Sequence, residues 1–178
     1  MIKESLKTYL DKYIDAFKKI FGHNPTVPYD EDEESSLWIG EMDDEEYIQW
    51  MYLEKETVTD FSNLEKEIGL VLPEQLKEFY NSYYFLELQG FCDGEHVYFD
   101  SVSDTRDIIN DLHIEEVNEK NYLHMGIYSN MDLELCMEIE TGKMVSVDYE
   151  GDLEEVRVNV IADSLEELLI KMTATRNE

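Results

Sequence analysis

A chain of 178 residues can bury a core without disulfides, and a content of 43% hydrophobic and 12% aromatic residues excludes a disordered acidic tail. Acidic residues outnumber basic ones 43 to 14, for a formal net charge of −29; a field of that sign repels nucleic acid and anionic lipid and favours a basic protein as partner. Two cysteines, Cys92 and Cys136, are too few for a disulfide framework, and the chain has neither an export signal nor a run of the roughly 20 apolar residues that spans a bilayer, which points to the cytoplasm.

The first predicted element is a helix. Leu6, Tyr9, Leu10, Tyr13, Ile14, Phe17, Ile20 and Phe21 recur at spacings of three and four, and Gly22 with Asn24-Pro25 stops the run. Residues 1–29 carry five lysines and three acids, so this helix is locally slightly basic. The character then reverses: thirteen acids and one lysine lie between Asp30 and Asp60. Asp30 to Glu34 form one acidic run; Glu41, Asp43, Asp44, Glu45 and Glu46 form another. Leu37, Trp38, Ile39, Tyr47, Ile48, Trp50, Met51 and Tyr52 interleave with the acids, which predicts a return to the protein body as a strand near Ile48–Leu53.

Phe61 to Phe85 reads as two helices. Ser62 and Glu65 have the spacing of a capping box, Leu64, Ile68 and Leu72 face inward, and Gly69 ends the first helix. Pro73 opens the second, where its missing N–H costs nothing, and Leu76, Phe79, Tyr80 and Tyr83 form its inner face. The period then shortens towards two. Phe85–Gln89 and His96–Phe99 read as short strands around a turn at Cys92-Asp93-Gly94. Asp104 is placed to cap a helix carrying Ile108, Ile109 and Leu112. Strands follow at Leu123–Tyr128, Leu133–Glu140, Lys143–Tyr149 and Val156–Ile161. A last helix is opened by the box Ser164…Glu167, with Leu165, Leu168, Leu169 and Met172 inward. The chain has no internal repeat and no Pro- or Ser-rich linker, so a single α+β domain over residues 1–178 is expected.

The hairpin of residues 133–149 carries the most specific expectation. Leu133, Leu135, Met137 and Ile139 alternate with Glu134, Cys136, Glu138 and Glu140. A three-residue loop, Glu140-Thr141-Gly142, with glycine at its left-handed position, pairs Met137 with Val145 and Leu135 with Val147. The other face then gathers Glu134, Glu138 and Asp148. Like charges opposed on a strand pair destabilise it, so this face is either a solvated surface or a docking face for a basic partner.

Catalytic signatures do not emerge. The sequence contains no GxGxxG, Walker-type loop, GxSxG or HExxH, and Asp30–Glu34 lacks the glycine and spacing of a calcium loop. His23, His96, His113 and His124 are scattered and not at metal-ligand spacing. No enzymatic activity, cofactor or metal is expected.

Leu64-Glu65-x-x-Ile68-Gly69-x-x-Leu72-Pro73-x-x-Leu76-x-x-Phe79-Tyr80 resembles the helix–turn–helix segment of the SUKH superfamily. The rest is most similar to its Syd branch. The opening helix with Tyr13 and Phe17, the segment at Trp50, and Glu134-Leu135 with Met137-Glu138-Ile139 and Thr141-Gly142-Lys143 carry that likeness, together with the closing Ala162-Asp163-Ser164-Leu165-Glu166-Glu167-Leu168-Leu169. The acidic insert at Asp30–Glu46 departs from the pattern. The resemblance implies a mostly antiparallel central sheet flanked by helices and no catalysis. It implies two candidate roles: a bacterial immunity protein neutralising a basic, nuclease-type toxin, expected first, or a protein that binds cytosolic loops of the SecY translocon subunit through an acidic surface. On either, the expected contacts are Glu134, Glu138 and Asp148 on the sheet. The insert Asp30–Glu46, including Asp43, Asp44, Glu45 and Glu46, supplies long-range attraction, and Trp38 and Trp50 serve as aromatic anchors.

Overall fold

The computed structural model describes residues 1–129, 133–149 and 156–176. Helix α1 (Ile2–Phe21) follows from the opening periodicity: Ile2, Leu6, Tyr9, Leu10, Tyr13 and Ile14 are buried, and the helix ends at Gly22. The stripe stops being buried in its last turn, where Ile20 and Phe21 are exposed at 60% and 58%. The reason is length. α1 is about 30 Å long, whereas the seven-residue helices packed on it are each about 10 Å, so its last turn overhangs them. There Phe17, Phe21 and His23 pack on one another, with Phe17 and Phe21 ring centroids 4.5 Å apart.

Three short strands follow, β1 (Thr26–Pro28), β2 (Trp38–Ile39) and β3 (Tyr47–Trp50), pairing antiparallel in the order β1-β3-β2. β4 (Leu53–Glu54) comes next, then α2 (Ser62–Ile68) and α3 (Glu74–Tyr80), and β5 (Tyr83–Tyr84), which pairs with β4. The expected capping box at Ser62 does not form: Phe61 holds the cap position, and the Ser62 hydroxyl bonds to Asp60. Glu65 instead accepts the Leu72 N–H at 2.8 Å and pairs with Lys77 at 2.8 Å, fastening α2 to α3. A charge-assisted pair outweighs a reciprocal backbone cap here. Leu72, Leu76, Phe79, Tyr80 and Tyr83 are buried, Tyr83 from β5 rather than from the helix, while Leu64 and Ile68 pack against the core half-buried.

The main sheet is antiparallel. β6 (Leu88–Cys92) and β7 (Glu95–Phe99) form a hairpin around Asp93-Gly94. β6 starts later than expected because Phe85 bridges to Val102 instead. After α4 (Ile108–Asp111) come β8 (Ile114–Val117), β9 (Lys120–Tyr128), β10 (Leu133–Glu138), β11 (Met144–Asp148), β12 (Arg157–Ala162) and α5 (Leu165–Lys171). The order is β12-β11-β10-β9-β7-β6. β10 runs along one edge of β9, and β7 and β8 divide the other, β8 on Lys120–Leu123 and β7 on Gly126–Tyr128. The sheet therefore curls and splits where β9 passes from one partner to the next. α1, α3 and α5 pack together, and α1 and α5 also meet the sheet. The fold is α+β, as expected. Among the described residues no helix is long and apolar enough to cross a membrane.

The β10–β11 register departs from expectation by one residue: Cys136 pairs with Val145 and Met137 with Met144. Ile139 is buried and its N–H bonds to the Asn121 carbonyl, so it leaves the hairpin ladder and joins the loop. Gly142 N–H closes that longer loop on the Glu138 carbonyl at 2.8 Å. Gly142 sits at φ 72, and its carbonyl accepts from Gln75 Nε2 at 2.7 Å. The shift moves every β11 side chain to the other face. Val145 and Val147 now lie beside Glu134, Cys136 and Glu138, whereas Asp148 joins Leu135 and Met137 on the opposite face. The alternation could not discriminate because β11 is buried on both sides: Met144 belongs to the main core, and Val145 and Val147 pack with Val117, Tyr122 and Cys136 in a second cluster.

Candidate protein-binding surface

The acidic segment 30–46 is fastened to the body and is not a free loop. Asp104, expected to cap a helix, accepts from Ser35 Oγ at 2.6 Å and from the Ser36 N–H at 2.7 Å. Asp107 caps α4 in its place, accepting from the Ile109 N–H. Arg106 reaches Glu33 at 3.5 Å. At the far end Asp43 accepts the N–H groups of Glu45 and Tyr47, each at 2.9 Å, and folds Asp43–Glu46 into a tight turn whose tip exposes Asp44 and Glu45. These contacts enclose a cleft of about 670 Å³ lined by Asp30, Glu31, Asp32, Glu33 and Glu46, with Arg106 at its border. Cutting Asp104 to alanine should free this segment. Proteolytic cleavage within residues 30–46 is expected to accelerate at least about tenfold, the effect of losing charge-assisted bonds of about 1.5–3 kcal/mol; unchanged cleavage would mean that β2 and β3 alone hold the segment.

The two tryptophans part company. Trp38 is half-buried, its ring centroid 5.2 Å from that of Tyr29, and it lines a neighbouring cleft with Arg106. Trp50 is 0% exposed and lies against Tyr13 in the core, and its Nε1 has no hydrogen-bond partner among the described residues. Trp50 is therefore a core residue and cannot be a surface anchor in this conformation. The alternation of β3, with Ile48 and Trp50 buried and Tyr47 exposed, places it there.

On the sheet face that carries Glu134, Cys136 and Glu138, Glu138 is buried and its carboxylate meets Lys120 at 2.6 Å, so most of its charge is already answered. Glu134 is more open and lies 3.0 Å from His124 Nδ1, while Asp100 lies 3.2 Å from His124 Nε2. Asp100, then Cys136, then Glu134 hold the imidazole proton and push the His124 pKa up to about 11 against the cost of burial. Asp148 stands across from Arg157 on the opposite face and does not join this group. A second cleft of about 360 Å³ opens at the split in the sheet, lined by Tyr98, Asp100, Arg106, Asp111 and His124. Arg106 lines all three clefts, so the acidic segment and the sheet-side cleft are neighbours on one surface. Asp100, Arg106 and Asp111 are not singled out by sequence reasoning, and His124 enters it only as one of four scattered histidines. The one available signal is Gly126 inside a strand, which hints at a bulge.

A family profile described as Syd protein (SUKH-2) matches residues 3–109, more than half of the 178 residues. The chain belongs to the Syd (SUKH-2) family. It is similar to Protein Syd of Shewanella pealeana (strain ATCC 700345 / ANG-SQ1), 24% identical over 177 residues, covering 95% of this chain and 81% of that protein. Protein Syd of Pseudoalteromonas translucida (strain TAC 125) is 25% identical over 154 residues, covering 82% and 84%. The Syd resemblance in the sequence thus holds at the level of family. The profile match takes in the acidic segment, Asp104 and Arg106, and the alignment to the Shewanella Syd protein covers nearly the whole chain.

Proposed function

We propose that this Syd-family chain is a non-catalytic, cytoplasmic protein-binding domain that recognises basic cytosolic loops of the SecY translocon subunit. The observation that carries the reading is family membership joined to an acidic cleft: Asp30–Glu33 and Glu46 face a common space, and the segment is bonded to the body through Asp104 and Arg106. Preorganised charge loses little conformational entropy on binding, and cytosolic loops of membrane proteins are rich in lysine and arginine. The toxin-neutralising role has less behind it, because the relatives that align over most of the chain carry the Syd name. Residues 1–178 act as one domain, segment 30–46 being its acidic insert, and the chain reaches the membrane only through its protein partner.

The cleft makes the close contacts with Trp38 at its edge, and Asp43, Asp44 and Glu45 add long-range attraction. Glu134 contributes from the sheet-side cleft, whereas Glu138, committed to Lys120, and Asp148, on the other face, contribute little. The test is the binding kinetics of the purified chain on SecY-containing nanodiscs and on nanodiscs without SecY. The on-rate should fall steeply as salt rises to physiological, where the Debye length is about 8 Å. Neutralising Asp30, Glu31, Asp32 and Glu33 together should weaken binding at least about tenfold, while Glu138→Gln should leave it within about twofold. Equal binding to both nanodiscs removes SecY as the partner; SecY binding that ignores salt and the cleft variant removes the cleft as the site.

A further inference from the structure

Three side chains of metal-ligand type converge from two adjacent strands beside the sheet-side cleft. Cys136 on β10 lies directly across from His124 on β9, and Glu134, two residues before Cys136, shares its face. His124 Nδ1 and Glu134 Oε2 are 3.0 Å apart, Cys136 Sγ is 4.0 Å from the same oxygen, and all three ligand atoms lie within 4.8 Å of one another. A tetrahedral zinc ion with bonds of about 2.0–2.3 Å sets its ligands about 3.3–3.6 Å apart. Closure around an ion therefore requires shifts of only about 1 Å.

Two further features suit a metal. Behind the imidazole, Asp100 Oδ2 lies 3.2 Å from His124 Nε2; a carboxylate on the far nitrogen is the usual way a ligating histidine is oriented. The β9–β10 ladder also shifts register between Leu135 and Cys136, leaving Met125 as an extra residue on β9 and setting His124, not Met125, opposite the thiol. Such bulges re-aim side chains next to functional sites. His124 and Glu134 are half-exposed, and His124 lines the cleft, so an ion and a fourth, water ligand have a route in.

We propose that His124 Nδ1, Glu134 Oε2 and Cys136 Sγ form a binding site for a divalent transition-metal ion of the zinc class, with Asp100 as the positioning residue for His124. One thiolate, one imidazole and one carboxylate match zinc, whereas calcium and magnesium prefer all-oxygen shells. Binding displaces the proton on His124 Nδ1 and the thiol hydrogen of Cys136 to solvent, and no oxidant or reductant takes part. The proposal is independent of the SecY reading.

The probe is cobalt(II) alone, titrated into the chelator-treated full chain. One equivalent should produce the intense visible bands of a tetrahedral ion and a near-ultraviolet thiolate charge-transfer band, both erased by zinc. Cys136→Ser should lose the charge-transfer band, Cys92→Ser should keep it, and Asp100→Asn should keep it at about 10–100-fold lower affinity. The chain holds two cysteines, so if Cys136→Ser fails to fold, the Cys92→Ser titration decides alone: retention of the band assigns it to Cys136. No thiolate band in the wild-type chain at any cobalt ratio, or its loss in Cys92→Ser, overturns the site.

Discussion

Replacing Phe79 by alanine is expected to destabilise the fold by about 3–5 kcal/mol, measured by urea unfolding, and to lower the melting temperature by about 6–20 °C for a chain of this size. Phe79 is 1% exposed, and its ring lies within 6 Å, centroid to centroid, of those of Tyr80, Phe85 and Phe99. It therefore joins α3 to the sheet, and no neighbour on a packed helix–sheet interface can move far enough to fill the space. Leu72→Ala, also at 1% exposure, should cost about 2–5 kcal/mol. Association with the partner, measured below the melting transition, should change by less than about threefold in either variant, because neither residue lines the acidic clefts. A Phe79→Ala chain that kept wild-type stability and lost its partner would move Phe79 from the core to the interface.

Phe79 was legible because helix periodicity is written in one segment. The same holds for α1, whose stripe and terminating glycine mark it, and for α5, where Ser164 accepts the Glu167 N–H at 3.1 Å. Even there the expected reciprocal bond goes one residue astray, since Glu167 accepts from the Asp163 N–H at 2.8 Å and not from that of Ser164. What was not legible depends on two segments at once. Alternation on β10 put Glu134 and Glu138 on one face, but only the loop length decided which β11 residues joined them, and the burial of Ile139 lengthened that loop. Acidity likewise told little about exposure: Glu138 is buried because Lys120 is its neighbour across the sheet, a pairing eighteen positions away in sequence. β1 and β2, at three and two residues, are too short for a period to appear, whereas β3 was expected near Ile48–Leu53 and forms at Tyr47–Trp50.

Gly126→Ala is expected to be at least as disruptive as Phe79→Ala, at about 3–6 kcal/mol. Gly126 has φ +150, a conformation side chains rarely adopt, and an added Cβ would stand 2.0 Å from the Tyr98 carbonyl oxygen and 2.9 Å from Phe99 Cα. Backbone strain of about 1–3 kcal/mol and overpacking of about 1–3 kcal/mol or more act together. Both contacts are to backbone, so rotating a side chain gives no relief, and β7 must move away from β9. Gly69→Ala is the control. Its φ is +71 with nothing within 4 Å of an added Cβ, so only the conformational term of about 1 kcal/mol remains. Asp100 N–H bonds to the Met125 carbonyl at 2.9 Å, directly before the glycine. In Gly126→Ala the hydrogen exchange of Asp100 and of the β7–β9 ladder should therefore quicken first. The same displacement draws Asp100 away from His124 and opens the bulge that sets His124 against Cys136, so cobalt affinity should fall together with exchange protection. A Gly126→Ala chain within about 1 kcal/mol of wild type, with unchanged exchange at Asp100, would mean that the bulge is adaptable and does not fix the position of His124.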